Sequence, residues 1–344
     1  MRHSPLAAEL RDAITPRAFF LMVGVLLVQL GFLLSYVGAF HHPDAQRIPL
    51  AVAAPAEVAE RLDGLRGEPV ETTLVRDRGE ARERIMNRDA QGAYVMDQQG
   101  TQDILLIASA AGSSVAQAIT EVGSQFAKAQ QRTVRTEDVA PANAGDRGSL
   151  SAFYLVIGWL VGGYLAASML GITAGARPAN TRRAVLRLAV MVVYAALSGL
   201  GGALIVDQAL GALPGHFLAL WGIGTLVVLA AGAATIALQV MFGVIGIGLA
   251  IVVFVVLGNP SAGGAYQRSM IPPFWRTIGD WLPPGAGTTA VRHSVYFDGN
   301  AMAGPMWVLA VWTVAGVLLT LFFAARHRDT EPPALGPYHP GAST

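Results

Sequence analysis

Residues able to do covalent or acid–base chemistry are few and poorly grouped in this 344-residue chain. There is no cysteine, so thiolate nucleophiles, thiolate metal sites and disulfides are excluded. Ser109, Ser113 and Ser114 lie close together, but serine needs a base to become a nucleophile, and residues 43–149 hold no histidine. His41 and His42 are adjacent; a metal centre needs further ligands, so they read as polar residues where a span leaves the membrane. Asp97, Asp103, Asp138 and Asp146 fall at turns and strand ends, where carboxylates act as solvated caps. The single lysine, Lys128, stands in FAKAQ, away from any glycine-rich loop, so no phosphate-cradling P-loop is present. No catalytic, metal or cofactor constellation emerges, and ATP-driven work would need another polypeptide.

The elements that carry these residues are set by composition. The chain is 53% hydrophobic and 14% charged, with a net charge of +1 and a mean hydropathy of +0.47. Soluble proteins carry about a quarter charged residues, so this is a membrane composition. An ordinary cytosolic enzyme is excluded, as is a nucleic-acid binder, which needs a basic surface.

A bilayer core of roughly 30 Å needs about 20 apolar residues per helix. Ala18–Phe40, Phe153–Thr173, Leu188–Val206 and Met306–Ala325 each supply one such run. Phe217–Leu257 holds 41 uncharged residues, twice what one span needs, so it must fold back, with Gln239 as the expected turn. Six spans place Arg2, Arg11 and Arg17, the loop bearing Arg177, Arg182, Arg183 and Arg187, and the tail Arg326 and Arg328 on one side. The positive-inside rule makes that side cytoplasmic, with both termini there.

The expected fold is therefore a polytopic α-helical membrane protein with six transmembrane helices. The divisions are 1–17, a cytoplasmic amphipathic helix; 18–40, the first span; 41–149, a small extracytoplasmic α/β domain; and 151–258, the second to fifth spans. After these come 259–304, an extracytoplasmic re-entrant or interfacial segment; 305–325, the sixth span; and 326–344, a disordered cytoplasmic tail rich in Pro and Gly. In the N-terminal piece, Ser4 suits an N-cap, Pro5 suits N1, and Leu6, Leu10 and Ile14 form a stripe.

Within 41–149, IPLAVAAP and PVETTLV read as strands, and GAYVMD and DILLIAS as a hairpin around Gly100. AEVAERLDGLRG reads as a helix closed by Gly67. In RDRGEARERIMNR, Ala81, Ile85 and Met86 share a helical face, as do Val115, Ile119, Val122 and Phe126 further on.

All six runs lack Asp, Glu, Lys, Arg and His in their interiors, and Asp207 and His216 sit at span ends within reach of headgroups and water. A proton-coupled antiporter, an intramembrane protease and a haem protein with axial histidines lose their chemistry on that count. Gln29, Ser168, Ser198, Thr225, Thr235 and Gln239 are the polar side chains left, and read as helix–helix hydrogen-bond partners. Gly158 and Gly162, one turn apart in GWLVGG, are expected to let helices approach closely.

The segment 259–304 pairs Pro272-Pro273 with Phe274-Trp275, then Trp281-Leu282 with Pro283-Pro284, and ends in VRHSVYF. Aromatics at the interface and prolines opening short helices suit headgroup depth. With NPSAGG…MIPPFW…LPPGAG…VRHSVYF between the last two spans, and one span, a large outer domain and five spans in order, the chain resembles ABC-2 type exporter permeases. The similar branch is the one that includes the phage infection protein, and GDRGSLSAFYLVIGWLVGGYL looks like actinobacterial members.

The resemblance implies a half-transporter in a bacterial cell membrane. Two copies would form the pathway, driven by a separate cytoplasmic ABC ATPase, with no cofactor and no nucleic-acid partner. The N-terminal helix would lie on the inner leaflet, and Arg177, Arg182, Arg183 and Arg187 would form the ATPase-coupling loop. An uncharged lining would suit a lipid-like or amphiphilic cargo. The competing reading is a non-transporting receptor or envelope scaffold acting through its outer domain. A secondary transporter is disfavoured by the charge-free spans and the lack of an internal repeat.

Overall fold

The computed structural model describes residues 15–326. Residues 1–14, with most of the expected amphipathic helix, and residues 327–344, the expected tail, lie outside them. The described chain is mostly helical, with one small sheet.

Helix α1, Pro16–Phe40, starts where the Thr15 hydroxyl accepts the Ala18 N–H at 3.1 Å and Pro16 opens the first turn. Five strands follow: β1 Ile48–Ala53, β2 Val70–Leu74, β3 Gly92–Val95, β4 Gln102–Ile107 and β5 Thr133–Asp138. Between them lie α2 Ala56–Asp63, α3 Arg78–Met86 and α4 Ser113–Ala129. The sheet order is β2-β1-β3-β4-β5, parallel except for the β3–β4 hairpin.

Alternation in β1 sorts the core into two faces. Leu50 and Val52 pack with Leu62 of α2 and with Ile119 and Phe126 of α4, whereas Ala51 and Ala53 pack with Ala81 and Ile85 of α3. The expected strands, helices and hairpin are present, except that α2 closes at Gly64 rather than Gly67; β5 is an addition, a largely exposed edge strand whose sequence TVRTED has no apolar alternation.

The remaining helices are α5 Ser151–Thr173, α6 Thr181–Ala203 with a π-helical turn Leu204–Ala209, α7 Phe217–Phe242, α8 Ile245–Ser261, α9 Pro273–Gly279, α10 Pro283–Tyr296 and α11 Ala303–Arg326. Among the described residues, five helices are long and apolar enough to cross a membrane: α1, α5, α6 with its π turn, α7 and α11. Helix α8 is apolar but shorter, and passes through a π-helical stretch at Val252–Leu257.

Helix α7 lies at the centre, against α5, α6, α10 and α11. A methyl on Gly163 would stand 2.8 Å from the Val228 carbonyl oxygen, and one on Gly316 would stand 2.6 Å from the Ala233 carbonyl carbon. The Trp159 ring fills the space that side chains on Gly202 and Gly224 would take, and its Nε1 donates to Ser198 O at 3.1 Å. The expected Gly158–Gly162 seam is different: Gly162 meets Tyr194, but nothing approaches Gly158, which borders an apolar cavity of about 590 Å³ between α5 and α6.

The long apolar run does fold back, but not at Gln239. That residue is buried inside α7 and donates Nε2 to Ala167 O of α5 at 3.2 Å. The break falls at Gly243, with φ 66° and ψ −139°, a backbone state essentially confined to glycine. Gly246 then lies against the α7 backbone at Leu238 and Gln239, where any side chain would collide.

Candidate functional site

Most of the polar candidates read from sequence are structural. Among the described residues no three His, Asp or Glu side chains group to hold a metal. His41 and His42 are exposed at the end of α1, rings 4.7 Å apart. Ser109 Oγ accepts the Ala142 N–H, Ser113 Oγ donates to Gly148 O, and Ser114 Oγ accepts the Gln267 N–H. Asp97 and Asp138 close turns through backbone N–H groups, as expected.

Three acids depart from the expected solvated positions. Asp103 is fully buried; Arg132 Nη2 donates to it at 2.6 Å, and the Tyr94 hydroxyl donates to its other oxygen. Burial alone would raise its carboxyl, but bonds from Arg132, Tyr94 and the Asp97 N–H outweigh that and hold it below the ordinary range. Asp146 is buried, accepting the Ser151 N–H that opens α5 and the Tyr296 hydroxyl at 2.9 Å. Asp207 is buried in the π turn, with Oδ1 accepting the Gly215 N–H and Oδ2 without a partner.

The arginine loop splits in two. Arg177, Arg182 and Arg183 are exposed, and Arg177 Nη2 reaches Met241 O at 3.3 Å, beside the α7–α8 turn. Arg187 instead turns inward, its Nη2 donating to the Ala174 and Gly175 carbonyls at 2.7 Å, which caps the C-terminus of α5. The 23 residues of α5 separate this loop from the sheet domain.

The segment 259–304 does not lie loose over the bundle. Pro272 caps α9 and Pro283 opens α10. Phe274 and Trp281 are exposed, with Trp275 edge-on to Phe274, while Pro284 packs on Gly258 and Gly287 fits between Val156 and Val227. Trp281 O accepts the Trp312 indole N–H at 2.8 Å, tying the turn after α9 to α11. On the other side the segment completes the sheet domain. Met270 enters the core with Leu62 and Phe126, and Phe297 the core with Ala81 and Ile85.

At this junction lies a cavity of about 320 Å³. Arg47, Arg88, Arg268, Arg276, Arg292 and His293 line it, with Asp280 as the one carboxylate. Arg292 donates Nη1 to Gly263 O at 2.7 Å and Nη2 to Ser149 O at 3.0 Å, leaving Nε buried without a partner. Arg88 stacks on Phe297, its Cζ 4.3 Å from the ring centroid, and its Nε and Nη1 are buried without partners. Arg268 pairs with Asp280 and donates to Thr289 Oγ1; Arg276 donates to Arg268 O and Gln46 Oε1.

Burial lowers the Arg88 and Arg292 guanidiniums to about 10, so both stay charged at neutral pH. Burial, with Arg88 adding repulsion, lowers His293 to about 4, so it is neutral there. None of these residues stood out in the sequence, because they are scattered from position 47 to 293 and no spacing links them. The one signal was a polar pair, Arg292-His293, inside an otherwise uncharged helix.

Protein-family models, curated proteins and solved structures yield no match to this chain.

Proposed function

We propose that the chain is a permease subunit of the ABC-2 exporter type, a half-transporter that moves a lipid-like or amphiphilic substrate using a separate ATP-binding subunit. In this reading α8 is the sixth span, two copies line the pathway, and both termini face the cytoplasm of a bacterial cell. The observation that carries it is the arrangement around α7. One apolar helix precedes an outer domain, a tight turn at Gly243 returns the chain, and α9–α10 packs back onto the bundle before the last helix. At 17 residues α8 measures roughly 26 Å, close to the roughly 30 Å core. Exposed Arg177, Arg182 and Arg183, at the end of α5 remote from the sheet domain, supply a surface for the ATPase.

The test is a pull-down of the tagged full-length protein from mild detergent, with mass spectrometry and ATPase assay of what co-purifies. A stoichiometric P-loop ATPase, lost in Arg182→Glu/Arg183→Glu, is the expected result. Arg187→Glu should instead lower the yield of folded protein, since Arg187 caps α5. A folded preparation free of ATPase under every detergent condition would sink the exporter reading. The second reading, a receptor or envelope scaffold, is favoured by one observation, the arginine-lined cavity in the outer part of the molecule.

A further inference from the structure

The junction cavity is built in a way that protein stability alone disfavours. Five guanidiniums face one carboxylate across about 320 Å³, and three of their buried donors, on Arg88 and Arg292, have no acceptor. Gathering like charges away from water is unfavourable, and each unmet charged donor adds its own uncompensated desolvation. Ordinary ion pairs would have relieved this. Arg47 is paired with Glu71 and Arg268 with Asp280, but among the described residues no acid bonds Arg88, Arg276 or Arg292.

We infer that this cavity binds a phosphate group, held by Arg88 and Arg292 from within and by Arg276 and Arg268 from α9 and the turn before it. A phosphate brings several acceptor oxygens and negative charge, one unit as a diester and about two as a monoester, which matches planar guanidinium donors converging from different elements. The volume is about ten waters' worth at roughly 30 Å³ each, enough for a phosphate with a substituent. Neutral His293 closes one wall without adding charge, and Arg88 is held in place by its stack on Phe297. Two sources share this chemistry: a phospholipid headgroup and a soluble phosphate. Phe274 and Trp281, exposed on and just after the helix that carries Arg276, put apolar surface beside the cavity and favour the headgroup.

The site does not depend on the transport reading, and its test is a binding measurement. The purified full-length protein in a neutral maltoside is titrated with inorganic phosphate, with short-chain phosphatidylglycerol, and with diacylglycerol of the same chains. The thermal midpoint is followed throughout. A rise with phosphatidylglycerol but not diacylglycerol supports a headgroup site, and a rise with inorganic phosphate supports a soluble one. Arg88→Met should raise the midpoint of the anion-free protein, by removing an unpaired charge while keeping bulk on Phe297, yet weaken binding at least about tenfold. A merely structural arginine would lower the midpoint. Should Arg88→Met fail to fold, Arg276→Gln, half-buried on the rim, should weaken binding in the same way, while Arg82→Gln on the exposed face of α3 should not. The site is refuted if no anion raises the midpoint, if diacylglycerol matches phosphatidylglycerol, or if Arg82→Gln weakens binding as much as Arg276→Gln does.

Discussion

Two buried titratable groups make stability fall on acidification in two separate windows. His293 is held at about 4, below the ordinary histidine value of about 6.5. Between those values the unfolded chain takes up a proton that the folded chain refuses. Its contribution is therefore complete above about pH 6.5 and falls as the pH drops towards 4. Asp103 is held below the ordinary carboxylate range, so its contribution is full above about pH 4 and is lost below that as the carboxyl protonates. Thermal midpoints measured from pH 8 to 3 should fall in both windows. His293→Gln should flatten the upper one and Asp103→Asn the lower. Neither group was legible in sequence: Asp103 looks like any strand-end carboxylate until Arg132, 29 residues away, closes on it.

At the scale of elements, the helices and strands follow from periodicity and their limits from local chemistry. The apolar runs, the α/β alternation of the sheet domain and the β3–β4 hairpin were all readable. The position of the α7–α8 turn was not, because polarity singled out Gln239, whereas the backbone requires Gly243. Gly243→Val should destabilise the detergent-solubilised protein by about 1–3 kcal/mol, seen as a lower thermal midpoint, whereas Gly248→Ala, with open space around it, should not. Without cysteines the chain is also a clean background for labelling. If α8 spans, Glu57→Cys and Thr277→Cys should both react with an impermeant maleimide on intact cells, and Arg183→Cys only after permeabilisation. Labelling of Glu57→Cys but not of Thr277→Cys on intact cells would remove the six-span arrangement.

The whole molecule is one interlocked body, because the two halves share cores. Phe297 and Met270 belong by sequence to the segment between α8 and α11, yet each completes one face of the sheet domain. Phe297→Ala should therefore unfold the sheet domain more easily, by about 3–5 kcal/mol, and release the cation–π partner of Arg88. Limited proteolysis within 41–149 is the direct readout; an unchanged digestion pattern would show that the sheet domain stands without the segment. Tyr296 on Asp146 and Arg292 on Ser149 O add polar ties across the same junction.

Membrane composition, long apolar helices and the α/β character of the sheet domain were determined by the sequence alone. Each depends on residue type and local period, and those are properties of short windows. Convergence was decided only by the tertiary structure. Arg47, Arg88, Arg268, Arg276 and Arg292 come from β1's approach, the α3–β3 loop, the turn before α9, α9 and α10. Nothing in any one of those windows distinguishes an arginine facing water from one facing a cavity. Packing of the final segment onto both faces of the sheet places them together, and that packing is a property of the folded chain as a whole.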